Sequence, residues 1–265
     1  MSKQVGLIKL DGNIGGIAFY QSFGEYLART ANGPSKERIA NDPSFVRTRE
    51  NNAEFGGSAT AAKSLRLALA SVVQTMADSR FTSRLTALFK EINVRGTGAR
   101  GQRTIALSAN RSLVNNLEFN LNTPFGAVFN APFTFSNNAG RTQGTITIAA
   151  FLPSSFIHAP SGATHFRLVT AIGAVSDFTY NATTGLYDPL EPTLNLLNGI
   201  AYGAVTALNV TAPVNFSLVA NLPGTPAMTP GINVVQCIGI EFFQRVGATD
   251  YLLAQGNAMK VVNVF

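Results

Sequence analysis

Arg95, Arg100 and Arg103 stand among Gly96, Gly98 and Gly101 in the run Asn-Val-Arg-Gly-Thr-Gly-Ala-Arg-Gly-Gln-Arg, residues 93–103. Glycines let backbone amides converge on one point, and a guanidinium grips phosphate or carboxylate with two parallel N–H donors. The pattern suits an anion-binding loop, although it lacks the Gly-Lys-Ser/Thr of a P-loop. Three readings stay open for it: a solvated linker between two domains, a contact with carboxylates of a neighbouring subunit or other acidic partner, and a contact with nucleic acid. A second basic set, Lys36, Arg38, Arg47, Arg49, Lys63 and Arg66, is interspersed with Glu37, Asp42, Glu50 and Glu54. Mixed signs at helical spacing read as a solvated or interface face rather than a nucleic-acid stripe. Arg47 and Arg49 join the loop arginines as candidates for an anion or intersubunit contact.

The remaining chemistry is thin. His158 and His165 flank a Pro-Ser-Gly turn, but no Cys, Asp or Glu lies near them in sequence to complete a zinc set. Asp177, Asp188 and Glu191 are carboxylates that a glycosidase or a Ca²⁺ site would use, yet Asp188-Pro189 and Glu191-Pro192 read as turn formers. The single cysteine, Cys237, sits in the apolar run 234–238 and reads as a small buried hydrophobe. Gly12-Asn13-Ile14-Gly15-Gly16 leads into the strand-like Ile17-Ala18-Phe19-Tyr20 rather than a helix, so it reads as a hairpin turn and not a dinucleotide fingerprint. The inventory points to no catalysis, no cofactor and no metal.

The elements that must carry these residues follow from periodicity. Residues 4–30 read as two or three short strands around Asp-Gly and Gly-Gly turns. Residues 31–43 read as a loop ending in Asp42, an N-cap with Pro43 at the first helical position. A helical pattern follows, with a break expected at Gly56-Gly57-Ser58. It resumes as the stripe Ala62, Leu65, Leu69, Val72, Val73 and Met76. Ser79 is the expected cap of a second helix bearing Phe81, Leu85, Leu88, Phe89 and Ile92, so 43–92 reads as a helical hairpin. After residue 103 the pattern changes to short strands, expected at 104–108, 116–121, 143–152, 165–175, 177–180, 204–210, 214–221, 232–246, 249–255 and 258–264. Together these predict an α+β protein: a β-hairpin and helical hairpin in 1–103, then a mainly antiparallel, jelly-roll-like β-sandwich in 104–265.

Charge divides the chain at the same place. Residues 1–103 hold 15 of the 20 Lys and Arg and 8 of the 14 Asp and Glu, which leaves the last 162 residues unusually poor in charge. Free soluble domains keep about a quarter of their residues charged, so a surface this neutral suits burial against neighbours. Nothing at the start reads as a secretory leader and no stretch is long and apolar enough to span a membrane. The expectation is synthesis in the cytoplasm, with the final location open.

The N-terminal third carries a resemblance. Gly12, Ile14, Gly15, Phe19, Tyr20, Gly24, Tyr26 and Arg29, the helix entry Ser35-Lys36-Glu37-Arg38, and the run 45–56 from Phe45 to Gly56 resemble an uncharacterised family of unknown function common in Bacteroidota, and more distantly some phage-like structural proteins. The resemblance covers roughly residues 7–92. It implies a structural or assembly role and carries over no enzymatic residue. The expected function is a structural subunit of a self-assembling homo-oligomer, such as a shell, tube, fibre or virion-like particle, with copies of itself as partners. The alternative is a β-sandwich module for carbohydrate or a cell-surface partner, against which the absence of Trp weighs.

Overall fold

The computed structural model describes residues 2–31 and 33–265; Met1, in the expected leaderless start, and Asn32, in the expected loop 31–43, lie outside the described residues. The chain forms two compact units that divide between Arg49 and Glu50.

In the first unit, strands β1 (Ser2–Lys3), β2 (Gly12–Ile14), β3 (Ile17–Ser22) and β4 (Glu25–Thr30) make an antiparallel sheet in the order β1-β4-β3-β2. The two-residue turns at Gly15-Gly16 and Phe23-Gly24 have positive φ at both positions, the primed geometry that matches the twist of a tight hairpin. Helix α1 (Lys36–Asn41) occupies part of the segment expected to be loop. Its start is fixed by Ser35, whose hydroxyl accepts a hydrogen bond from the Arg38 amide at 3.2 Å. Asp42 caps the next turn, accepting from the Ser44 amide at 2.9 Å.

Helix α2 (Val46–Ala68) runs into the second unit without the break expected at Gly56-Gly57-Ser58. The interruption comes instead at Leu69, whose backbone leaves the helical region before α3 (Ala70–Met76). Helix α4 (Phe81–Val94) follows. Ser79 does not cap it; the Asp78 carboxylate accepts the Arg80 amide at 2.8 Å. The short helices α5 (Phe125–Val128) and α6 (Pro153–Phe156) flank strands β5 (Phe133–Asn137) and β6 (Gln143–Phe151). Then come β7 (His165–Ser176), β8 (Phe178–Asn181), β9 (Leu186–Pro189), β10 (Asn198–Tyr202), β11 (Thr206–Ala207), β12 (Val214–Asn221), β13 (Ile232–Val246), β14 (Thr249–Leu252) and β15 (Ala258–Val264).

The fold is α+β with antiparallel sheets. β7 and β13 pair along their length at the centre of a six-stranded sheet; β10 and β11 join β7, and β14 and β15 join β13. A second sheet, β12-β6-β5, packs against it, and β8-β9 is a separate hairpin. β7 and β13 are buried along almost their whole length because both faces are covered. Val169, Ala171, Val175, Val235 and Cys237 meet the helices through Leu65, Val72 and Phe89. Phe166, Leu168, Ile238, Ile240 and Phe242 meet Ile146, Ile148, Phe216 and Leu218 of the second sheet. That shared core keeps the helices after Glu50 in the same compact unit as the strands, whereas composition alone placed the change at residue 103. The stretches expected as strands at 104–108 and 116–121 make only isolated bridges, Ile105 with Phe178 and Glu118 with Lys260. β5, β9 and β10 arise where no strand was expected.

Candidate functional site

The Gly/Arg loop closes on a buried carboxylate. Glu54 on α2 is 1% exposed. Its two oxygens accept from Arg103 Nε and Nη2, each at 2.7 Å, from Lys90 Nζ on α4 at 2.6 Å, and from the Gly101 amide at 2.9 Å. The Arg103 guanidinium, with Lys90 and the Gly101 amide, holds the Glu54 carboxyl down to about 2 against the cost of its burial. Arg103 rises in turn through the same bond. The Arg103 carbonyl accepts from Asn93 Nδ2 at 2.8 Å and from the Tyr187 hydroxyl at 2.9 Å, which ties the loop to α4 and β9. Gly101 has φ +91°, and a Cβ there would stand 3.0–3.1 Å from Glu50. Glycine is placed here by close packing against α2, not by the approach of a phosphate.

The other loop arginines also face carboxylates of their own chain. Arg95 Nη2 meets Glu91 at 2.5 Å in an exposed pair of little energetic weight, and the exposed Arg100 meets the half-buried Glu50 through Nε at 3.5 Å. Arg47 and Arg49 belong to the first unit. Arg47 is exposed on α2, and Arg49 donates to the carbonyls of Ile39 at 2.8 Å and Asp42 at 3.0 Å, closing the end of α1. Sequence reading placed Glu54 only on a charged face that is solvated or at an interface. Nothing in the chain order joins it to a loop 47 residues away.

A half-buried carboxylate, Asp78, anchors another segment. Asp78 accepts two bonds from Arg84 Nη1, at 2.7 and 2.8 Å, and the Leu121 amide at 2.9 Å. Burial works against its ionised form, but Arg84 and the backbone amides outweigh it and lower its titration. Arg84 also donates to the carbonyls of Glu118 and Phe119, so the pair pins the segment that covers β15.

The residues with catalytic or ligating chemistry lie apart. Asp177 is buried and accepts from Ser108 and Asn233. Asp188 pairs with Asn181 at 2.8 Å. His165 contacts the Thr164 hydroxyl, and His158 lines a cleft of about 350 Å³ with Asn122, Thr123 and Gln255. Among the described residues no three His, Cys, Asp or Glu side chains gather as a metal site. Cys237 is fully buried, and burial pushes its thiol far above the usual range.

The anomaly lies in the first unit. Not one of its described residues is buried. Val5, Leu7, Ile8 and Phe23 are almost fully exposed, and Leu10, Ile14 and Ile17 are exposed as well. A four-stranded sheet without a core has nothing of its own to offset the entropy of ordering it. The signal for this was present in the apolar residues 5–17, which read simply as strand residues.

No family model, curated protein or solved structure matches this chain. Among the described residues no helix is long and apolar enough to cross a membrane.

Proposed function

We propose that this protein is a structural subunit of a self-assembling homo-oligomer, a shell, tube, fibre or virion-like particle with a jelly-roll-like wall, and that it performs no catalysis. The observation that carries this reading is the first unit, where eight large apolar side chains among the described residues are exposed and have no core to enter. Each is worth roughly 1.5–3 kcal/mol when fully removed from water, so a covered state is strongly favoured over an uncovered one. A second support is the neutrality of the body: residues 192–231, most of which reach the surface, contain no Asp, Glu, Lys, Arg or His. Such a surface packs against a neighbour without stripping water from charges. The resemblance to the Bacteroidota family and to phage-like structural proteins agrees with an assembly role.

Light scattering and negative-stain imaging of the full chain test the proposal. A homogeneous multimer is expected, and Leu7→Asp with Phe23→Asp shrinks it. A single 28.1 kDa species at every concentration overturns it. The second reading, a carbohydrate-binding module, draws on the cleft of Asn122, Thr123 and Gln255, whose amides and hydroxyls suit sugar hydroxyls; a glycan array reads it out directly.

A further inference from the structure

We propose that β5 is a subunit interface in which two copies of this chain pair strand to strand about a two-fold axis through Phe135; the inference rests on the self-assembly reading and names its contact. β5 is the free edge of the sheet β12-β6-β5. Its ladder to β6 pairs Phe133 with Ile148 and Asn137 with Gly144, and the Asn138 amide donates to the Gln143 carbonyl. In an antiparallel ladder each residue sends both its N–H and its C=O to one side, and the side alternates. Asn138 points at β6, so Ser136 and Thr134 do too. Phe133, Phe135 and Asn137 therefore point their N–H and C=O groups outward, and these groups have no partner among the described residues.

The outward residues are self-complementary. A two-fold axis at Phe135 sets Phe135 against its own copy and Phe133 against Asn137 of the second chain. Every outward group then finds a partner, about six bonds in all. The same axis sets Thr134 against Ser136. Phe135, 46% exposed, shares its face with the buried Ile146 and Leu218. Pairing stacks two such rings and carries the core of one subunit into the next.

The edges at β10, β14 and β15 are guarded and this one is not. β14 carries Asp250, held by Arg245 at 2.6 and 2.7 Å. β15 is covered by residues 116–119 through the bonds Asn116 to Val261, Val261 to Leu117 and Phe119 to Met259. β10 abuts β12 so closely that a Cβ on Gly199 would lie 2.0 Å from the Asn221 carbonyl oxygen. Soluble proteins guard open edges with charge, proline or cover. β5 is Phe-Thr-Phe-Ser-Asn, and no charged residue occurs from Phe119 to Gly140.

The test uses cysteine cross-linking and oligomer mass on the full chain. Cys237 is fully buried and does not compete. Phe135→Cys is expected to form a disulfide dimer under mild oxidation. An equal mixture of Thr134→Cys and Ser136→Cys is expected to cross-link several-fold faster than Thr134→Cys alone. Phe135→Lys, which sets like charges face to face at an already open edge, is expected to lower the oligomer mass while the melting profile is kept. An assembly that forms normally with Phe135→Lys and shows no cross-link through 134, 135 or 136 overturns this interface and leaves the self-assembly reading standing. A wild-type chain that stays monomeric overturns both. If Phe135→Lys fails to fold, the Thr134 and Ser136 variants decide, because their side chains lie on the exposed face.

Discussion

Glu54 shows what a buried carboxylate does when its partners are all in place. Its carboxyl titrates at about 2 rather than the ordinary 4.5, so the folded protein holds that proton more weakly than the unfolded chain does. The sign follows: the stabilisation is fully present above about 4.5 and is lost as pH falls toward 2, and it amounts to about 3 kcal/mol. Glu54→Gln keeps the shape but leaves Arg103 and Lys90 without a carboxylate. Removing one partner of a buried pair costs about 3–5 kcal/mol. We expect the urea midpoints of wild type and Glu54→Gln to lie far apart near neutrality and to converge as the pH approaches 2. A gap independent of pH would mean that the ion pair is not what holds the loop. The Gly/Arg composition was legible in the sequence, and its spacing left open a solvated linker or a contact with negative charge on a partner. What the spacing lacked was the source of that charge, because Glu54 reaches the loop only through the packing of α2 against α4.

Helix α2 separates two roles that glycine plays, and neighbouring positions display both. Gly57 is buried against the Tyr187 ring, and a Cβ there would lie 2.4 Å from ring atoms. Gly56 is exposed with nothing within 4 Å of an added Cβ. Propensity alone made the pair a break, since glycine in a helix costs up to about 1 kcal/mol relative to alanine. The helix persists because Leu65 and the residues around it are held in the core while β9 needs the close approach at Gly57. Gly56→Ala should therefore raise stability by up to about 1 kcal/mol. Gly57→Ala should lower it by about 1–3 kcal/mol, because the ring must shift. Thermal unfolding of the two variants gives opposite signs; equal signs would remove the packing argument. The strands divide along similar lines. Those with a buried face or a full apolar run, β6, β7, β12, β13 and β15, were legible to within a residue or two of their ends. β5, β9 and β10 were not, because each is short and borders turn-rich sequence, and its pairing is set by a partner elsewhere in the chain.

The chain as a whole joins a well-packed body to an N-terminal unit that has hydrogen bonds but no core. The sequence pointed to the fold class and the poverty of charge, and it placed the change of character at residue 103. The compact units divide at Arg49 and Glu50 instead, since a helical stripe of Leu65, Val72 and Phe89 can be read without knowing that strands lie beneath it. Two expectations follow for the assembled state. Contacts made by uncharged residues and apolar side chains respond weakly to ionic screening and are strengthened by kosmotropic salts. The particle should therefore survive from low to molar salt and tighten in sulfate, whereas a nucleic-acid contact through the loop arginines would be lost steeply. The second expectation concerns protection. Local stability tracks buried apolar contact, and the first unit has none of its own. In dilute protein the amides of residues 12–30 should exchange quickly despite their place in a sheet, while those of β7 and β13 exchange slowly. As concentration rises and copies cover the exposed Leu7, Ile8 and Phe23, exchange at 12–30 should slow with the same midpoint as the growth in mass, and β13 should not change. Protection of 12–30 that is already complete at the lowest concentration would show that the sheet is held without a second copy, and the apolar residues at its surface would then need another explanation.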